Sequence, residues 1–128
     1  MIPCSIFSGK VQKGNQLGRT IGFPTANLKP APGSSFPLPY GVYAVKVQYQ
    51  SQLFNGMANV GVKPTLEAQE FSIEVNLFDF SHEIYGEEVT VFFYDFIREE
   101  RKFAGLDALK SQIAHDKTLI TRLLSDRM

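Results

Sequence analysis

The stretch GVYAVKVQYQ, residues 41–50, decides the fold class, because its apolar side chains recur at every second position. One face of an extended chain would carry Tyr43, Val45, Val47 and Tyr49, and the other mostly Ala44, Lys46 and Gln48. A period of two is typical of a β-strand, whereas a helix repeats every 3.6 residues. The stretch therefore predicts a strand with one face toward a core.

Neighbouring stretches extend this pattern in both directions. SQ at 51–52 is a turn candidate, and LFNGMANVGV returns as a second strand. FSIEVNL, residues 71–77, alternates cleanly, whereas VTVFFYDFI, residues 89–97, is apolar on both faces and predicts a strand that is covered on both sides. With CSIFSGKV near the start, at least five closely spaced strands result. They favour an antiparallel barrel or sandwich.

The C-terminal part changes to a helical period. The apolar positions of this part are Leu106, Leu109, Ile113, Ile120 and Leu124. They predict one amphipathic helix of about 18 residues. We expect it to cover the outward apolar face of the strand at residues 89–97. The fold prediction is thus a single domain, residues 1–128, dominated by β-structure, with one helix packed on a barrel.

Composition limits the possible functions. The chain has 128 residues, 44% hydrophobic and 20% charged, and its 13 basic and 13 acidic residues cancel, so no whole-molecule attraction to nucleic acid or membrane is expected. Cys4 is the only cysteine, which excludes an intramolecular disulfide and a thiolate zinc cluster. No signal peptide and no run of roughly 20 apolar residues is found. We therefore expect a cytoplasmic protein.

Two segments are predicted to be irregular. KPAPGSSFPLP, residues 29–39, contains four prolines and reads as a loop within the domain. GFPTANL, residues 22–28, is too short and too broken by Pro24 to predict a regular helix or strand.

The glycine-rich stretch that leads into GFPTANL allows two interpretations. Its glycines, together with Lys10, Lys13 and Arg19, offer backbone amides and cations of the kind that bind phosphate oxygens. Thr25 and Asn27 carry hard oxygen atoms two residues apart, which suits magnesium shared with phosphates and water. On pattern alone, the favoured interpretation is a glycine-rich connection in which Thr25 bonds its own backbone, because glycine spacing is weak evidence for a site.

Charged residues near the end of the 71–77 strand and after the 89–97 strand are also open to two interpretations. Glu74 lies on the polar face, where a solvated glutamate is the ordinary explanation. Asp79 would break the alternation, so either the strand ends before it or a bulge redirects the chain. REERKF, residues 98–103, predicts a run of solvent-exposed charged side chains. Phe103 within it would pack against the start of the helix.

Taken in order, these motifs resemble the riboflavin kinase family. The resemblance rests on Gly9, Val11 and Gly14, then RTIGFPTANL, GVY, NVGVKPT, IEVNLFDF, IYGEEV and REERKF, and it runs from about Gly9 to Asp116. Members also form the C-terminal half of bifunctional FAD synthetases. The resemblance implies a closed six-stranded antiparallel (Greek-key) barrel with one C-terminal α-helix. It also implies transfer of the ATP γ-phosphate to the 5′-hydroxyl of riboflavin, which gives FMN and ADP.

The resemblance further implies roles for individual residues. Glu74 would be the catalytic carboxylate, and Thr25 and Asn27 would hold magnesium and touch the nucleotide phosphates. The remaining ATP-site residues would be Gly14, Arg19, Leu77, Asp79 and Tyr85. The flavin-site residues would be Arg98, Arg101 and Phe103.

The alternative interpretations differ either in the parent protein or in the class of function. The chain begins about eight residues before the first motif glycine, so we expect it to make FMN and not FAD. An excised kinase half of a bifunctional FAD synthetase would have the same chemistry. A non-catalytic flavin-binding module is disfavoured by the joint presence of Thr25, Asn27 and Glu74, and a nucleic-acid-binding barrel by the neutral charge. The expected partners are riboflavin and ATP, and the expected state is a monomer.

Overall fold

A computed structural model describes residues 3–12, 25–28, 35–64, 69–79 and 84–126 of the chain. These residues form six strands and one helix. The strands are β1 (Ser5–Gln12), β2 (Thr25–Leu28), β3 (Gly41–Tyr49), β4 (Gln52–Pro64), β5 (Gln69–Leu77) and β6 (Glu88–Arg98). The helix, α1, spans Leu106–Asp126.

The strands close into one antiparallel barrel in the order β1-β2-β5-β4-β3-β6. Strands β3, β4 and β5 form a meander, β2 pairs with β5, and β1 joins β2 to β6. Strand β6 pairs in turn with β3, so no sheet edge is left open between these strands. The predicted closed six-stranded barrel with a C-terminal helix is confirmed.

The barrel interior is filled by the apolar face of each alternating strand. Tyr43, Val45 and Val47 of β3 point inward and are buried, as the sequence predicts. Phe36, which precedes β3, packs its ring against those of Tyr43 and Phe93 with centroids 5.9 and 5.2 Å away. The irregular segment at residues 35–40 therefore contributes an aromatic side chain to the core.

A second, smaller core lies on the outside of the barrel, beneath α1. Its buried members are Val42, Ala44, Met57, Phe78, Ile113, Ile120 and Leu124. The helix was expected to cover the outward face of residues 89–97. It instead contacts mainly β4 and β3, and from β6 only Tyr94 and Ile97 pack against this cluster. Both faces of β3 are thus covered, which explains why Ala44 is as buried as Val45.

The prediction that residues 22–28 contain no regular element was wrong for the last four of them. Residues 25–28 form β2, which pairs with β1 on one side and β5 on the other. The two partners supply the backbone hydrogen bonds that a short and weakly patterned segment needs. Without β2 the barrel would be open between β1 and β5.

The ambiguity at Asp79 is settled by the end of β5 at Leu77. Asp79 adopts a left-handed backbone conformation (φ 56°) in the turn that follows, which turns its side chain into solvent. Its carboxylate lies 3.7 Å from the ammonium group of Lys117 on α1. The alternation is therefore broken by a turn, and no carboxylate is forced into the barrel core.

Candidate active site

Three oxygen-bearing side chains stand side by side on the outer face of the barrel. The register places Asn27 of β2 opposite Glu74 of β5, and Glu74 opposite Asn59 of β4. Side chains of directly paired residues lie on the same face of an antiparallel sheet, with Cβ atoms about 4.5–5.5 Å apart. All three side chains are half-buried, and α1 and the segment before it lie over Asn59 and Glu74.

The row borders a cavity of about 160 Å³ between the barrel and the first half of α1. The cavity is apolar on one side, where Val42, Met57 and Ile113 are buried, and polar on the other. The polar and aromatic wall consists of Asn59, Glu74, Asn76, Arg98, Arg101 and Phe103. A ligand with an apolar body and a polar edge matches such a lining.

One buried ion pair holds the position of a cation in this wall. Arg98, the last residue of β6, donates from Nη2 to Asp116 Oδ2 at 2.8 Å and from Nε to both carboxylate oxygens at 3.1 and 3.3 Å. Asp116 lies on α1 and is only 1% exposed. Gln112, one turn earlier, donates to Asp116 Oδ1 at 2.9 Å. The carboxylate thus fixes the guanidinium of Arg98 between the helix and the barrel.

The segment between β6 and α1 adds an aromatic ring to the same wall. The guanidinium carbons of Arg98 and Arg101 lie 5.8 and 5.5 Å from the ring centroid of Phe103. Arg101 also donates to Gln112 Oε1 at 3.1 Å. Two cations and one ring therefore form a connected group in the wall of the cavity.

The sequence profile of the flavokinase (riboflavin kinase) family matches residues 4–124. The chain belongs to the riboflavin kinase family. Its relatives include a bifunctional riboflavin kinase/FMN adenylyltransferase of Bacillus subtilis, 46% identical over 121 residues, which cover 92% of this chain and 38% of that protein. An RNA-binding riboflavin kinase of the same organism is 41% identical over 92% of this chain and 50% of its own length.

Two solved structures are similar as well. A Streptococcus pneumoniae structure described as a macrolide-efflux protein has a TM-score of 0.84 at 42% identity, covering 93% of this chain and 38% of that one. Riboflavin kinase from Trypanosoma brucei has a TM-score of 0.67 at 24% identity, covering 94% of this chain and 79% of that one, and this likeness concerns the fold. The chain thus spans half or less of the length of the two Bacillus relatives.

The structure brings together four of the site residues predicted from the riboflavin kinase resemblance. Glu74, Arg98, Arg101 and Phe103 all line the cavity. The side chain of Asn27 is on the same outer face as Glu74, beside it in the register. These residues come from β2, β5, β6 and the segment after β6, so only the closed barrel places them next to one another.

Other predicted residues lie elsewhere or outside the described part. Leu77 is buried in the barrel interior, Tyr85 packs against the same interior cluster, and Asp79 sits in the exposed turn after β5. The backbone of Thr25 is opposite Asn76. Gly14 and Arg19 lie outside the described residues. Among the described residues, Leu77, Asp79 and Tyr85 do not line the cavity.

Three residues of the wall or its support were not predicted from the sequence. Asn59 and Asn76 line the cavity, and Asp116 holds Arg98. An amide in an otherwise apolar strand, as in MANVGV, was an available signal for Asn59. Asp116 gave no such signal, because a polar residue on an amphipathic helix is normally solvated.

The described residues could hold a magnesium ion only if phosphate and water supplied its other ligands. Within the described ranges, no group of three or more histidine, cysteine or carboxylate side chains could hold a metal ion on its own. Asn27 and its neighbour Glu74 nevertheless offer an amide and a carboxylate oxygen, the donors that magnesium prefers. This donor chemistry fits an ion that takes one or two protein ligands and completes its shell with phosphate and water.

Across the part of the chain that the structure describes, no helix has the length and apolarity needed to cross a membrane.

Proposed function

We propose that the chain is a riboflavin kinase that transfers the γ-phosphate of ATP to the 5′-hydroxyl of riboflavin. The observation that carries the proposal is the meeting of Glu74 with Arg98, Arg101 and Phe103 in one cavity. A carboxylate and a cation–aromatic group in the same cavity match an alcohol that is joined to a flat ring. Membership of the riboflavin kinase family supports this assignment.

The flavin ring is assigned to the group formed by Arg98, Arg101 and Phe103. An isoalloxazine ring is flat and largely apolar with a polar edge, so it suits an aromatic side chain and guanidinium planes. The ion pair with Asp116 keeps Arg98 in place before the substrate arrives. Binding then requires little ordering of this side chain, which lowers the entropic cost.

Glu74 is assigned as the general base. As the 5′-oxygen of riboflavin forms its bond to the γ-phosphorus, the bond from that phosphorus to the β–γ bridging oxygen breaks, and ADP leaves. The hydroxyl proton passes to the carboxylate of Glu74, because an alcohol has too high a pKa to ionise unaided. A position in the middle of β5 holds this carboxylate more rigidly than a loop would.

The nucleotide side is assigned to residues around β2. Thr25 and Asn27 would hold magnesium, which when bound neutralises phosphate charge. The further nucleotide contacts assigned here are Gly14, Arg19, Leu77, Asp79 and Tyr85. Asn27 is the best supported of the set, since the register places it directly beside Glu74. The phosphates and the hydroxyl acceptor would thus meet at the junction of β2 and β5.

Riboflavin and ATP are the partners that we assign, with the protein acting as a cytoplasmic monomer. One relative is named as an RNA-binding riboflavin kinase, and this chain spans half of that protein. The expectation that the present chain binds no nucleic acid stays a prediction, based on its neutral charge.

The first prediction is the reaction itself. Purified protein mixed with ATP, magnesium and riboflavin is expected to form FMN and ADP in equal amounts. FMN is measured by chromatography with detection of flavin fluorescence. Removal of divalent metal by a chelator should abolish FMN formation, and added magnesium should restore it. A yield of FMN no greater than in the mixture without protein would contradict the proposed activity.

The second prediction concerns Thr25. Thr25→Ala is expected to weaken the binding of magnesium–ADP roughly tenfold, the effect of losing one contact to a charged group. Riboflavin affinity should stay within a factor of about two. Calorimetry measures the first affinity and quenching of flavin fluorescence the second. Thr118→Ala serves as the control, because Thr118 is exposed on α1 and its hydroxyl donates to the carbonyl of Ala114 on the same helix. Equal losses for both ligands would instead indicate that β2 had unfolded.

A further inference from the structure

Asn59 carries an unsatisfied hydrogen-bond acceptor beside the proposed reaction centre. Its Oδ1 atom is shielded from solvent and has no hydrogen-bond partner, the one buried side-chain oxygen or nitrogen in this state among the described residues. Burial without a partner is unfavourable, and native proteins rarely tolerate it without a functional reason. The amide is therefore expected to gain a donor in another state of the protein.

The location of Asn59 points to a ligand as the source of that donor. Asn59 lines the cavity and is paired with Glu74 on one side and Val42 on the other. The two cations of the wall already donate elsewhere: Arg98 to Asp116 and to the carbonyl of Glu99, and Arg101 to Gln112. Val42 has no side-chain donor. A bound molecule can supply the missing hydrogen bond without breaking these contacts.

The chemistry of the pair formed by Asn59 and Glu74 restricts what that molecule presents. A carboxylate and an amide oxygen on adjacent strands are two acceptors a short distance apart. Two hydroxyl groups on one carbon chain supply two donors at a similar spacing. A simple alcohol supplies only one and would leave Asn59 unsatisfied.

We propose that Asn59 accepts a hydrogen bond from an internal hydroxyl of the sugar-alcohol chain of the substrate, next to the hydroxyl that faces Glu74. This inference rests on the proposed function, because it assigns a contact within the same substrate. Asn59 is then a specificity-determining residue. It recognises a polyol chain, and it fixes that chain so that the terminal hydroxyl stays beside the base.

The test compares two flavins that differ in this chain. Asn59→Ala should weaken riboflavin binding roughly tenfold, as expected for one buried hydrogen bond, when quenching of flavin fluorescence is measured. Lumiflavin, which has the same ring and no polyol chain, should bind both proteins with affinities within a factor of about two. The affinity for magnesium–ADP should also be unchanged. The loss of Oδ1 itself should not lower the melting temperature, because this atom has no hydrogen-bond partner in the free protein.

A second variant covers the case in which Asn59→Ala fails to fold. Asn59→Leu retains most of the side-chain volume, lacks the acceptor, and should likewise weaken the binding of riboflavin and leave that of lumiflavin unchanged. Equal losses for riboflavin and lumiflavin, or unchanged affinity for both, would overturn the proposal, as would a selective loss of magnesium–ADP binding. If the unaltered protein forms FMN and Asn59→Ala binds riboflavin normally, only the role of Asn59 fails. If the unaltered protein binds no riboflavin, the proposed function itself fails.

Discussion

Replacement of Glu74 by glutamine is expected to lower the turnover number for FMN formation by a factor on the order of a hundred or more. Glutamine keeps the shape of the side chain and its position in β5, but it cannot accept the proton of the riboflavin hydroxyl. The barrel should be unaffected, since Glu74 lies on the outer face and outside the apolar interior. Rapid-quench measurement of a single turnover separates this loss from slow product release.

Riboflavin affinity distinguishes a catalytic role of Glu74 from a structural one. The glutamine variant should bind riboflavin within a few-fold of the unaltered protein, because the amide can still hydrogen-bond a hydroxyl group. Glu88→Gln is the matched control, since Glu88 is an exposed carboxylate at the start of β6 and lies outside the cavity wall. Near-normal turnover in Glu74→Gln would remove Glu74 from the role of base.

Strands β3 and β5 and helix α1 were predictable because the direction of their side chains depends on the local backbone geometry alone. In β3 and β5 the period of two assigned Tyr43, Val45 and Ile73 to the interior, and all three are buried there. Side-chain direction in a strand follows from backbone geometry, so neighbours are not needed for that prediction. The same holds for Ile113, Ile120 and Leu124 of α1, which follow the helical period and are buried.

Strand β2 and the surroundings of Glu74 could not be predicted from the local pattern, because both depend on contacts between distant segments. Strand β2 exists because β1 and β5 flank it, since an alternation over only four residues that follow a proline is too short to predict a strand by itself. Glu74 was expected on a solvated face if it had no function, because the pattern gives no sign that α1 and Phe103 lie over that face. The resemblance to riboflavin kinases, and not the periodicity, is what grouped Glu74 with Arg98.

The ion pair of Asp116 with Arg98 also joins distant segments, so the local sequence pattern could not predict it. Replacement of Asp116 is expected to have the largest effect on stability. Asp116→Ala should lower the free energy of unfolding by about 3 kcal/mol, near the lower end of the range for breaking a buried ion pair. The lower end is expected because Arg98 is 18% exposed and its freed charge can turn toward water. For a domain of this size the melting temperature should fall by roughly 10 °C.

Asp107→Asn is the control on the same helix. Asp107 is an exposed carboxylate in the first turn of α1, so its loss should cost less than about 1 kcal/mol. A melting temperature for Asp116→Ala equal to that of this control would show that the buried pair adds nothing to stability.

A double replacement separates the structural role of Asp116 from its role in positioning Arg98. When both partners of a buried ion pair become apolar side chains of similar volume, no charge is left unpaired, and stability is often recovered. Arg98→Met combined with Asp116→Leu should therefore melt well above Asp116→Ala. The double variant should still bind riboflavin at least tenfold more weakly than the unaltered protein, because the guanidinium beside Phe103 is gone. Recovery of both stability and riboflavin affinity would mean that Asp116 and Arg98 serve packing alone, and that Phe103 and Arg101 suffice for the flavin.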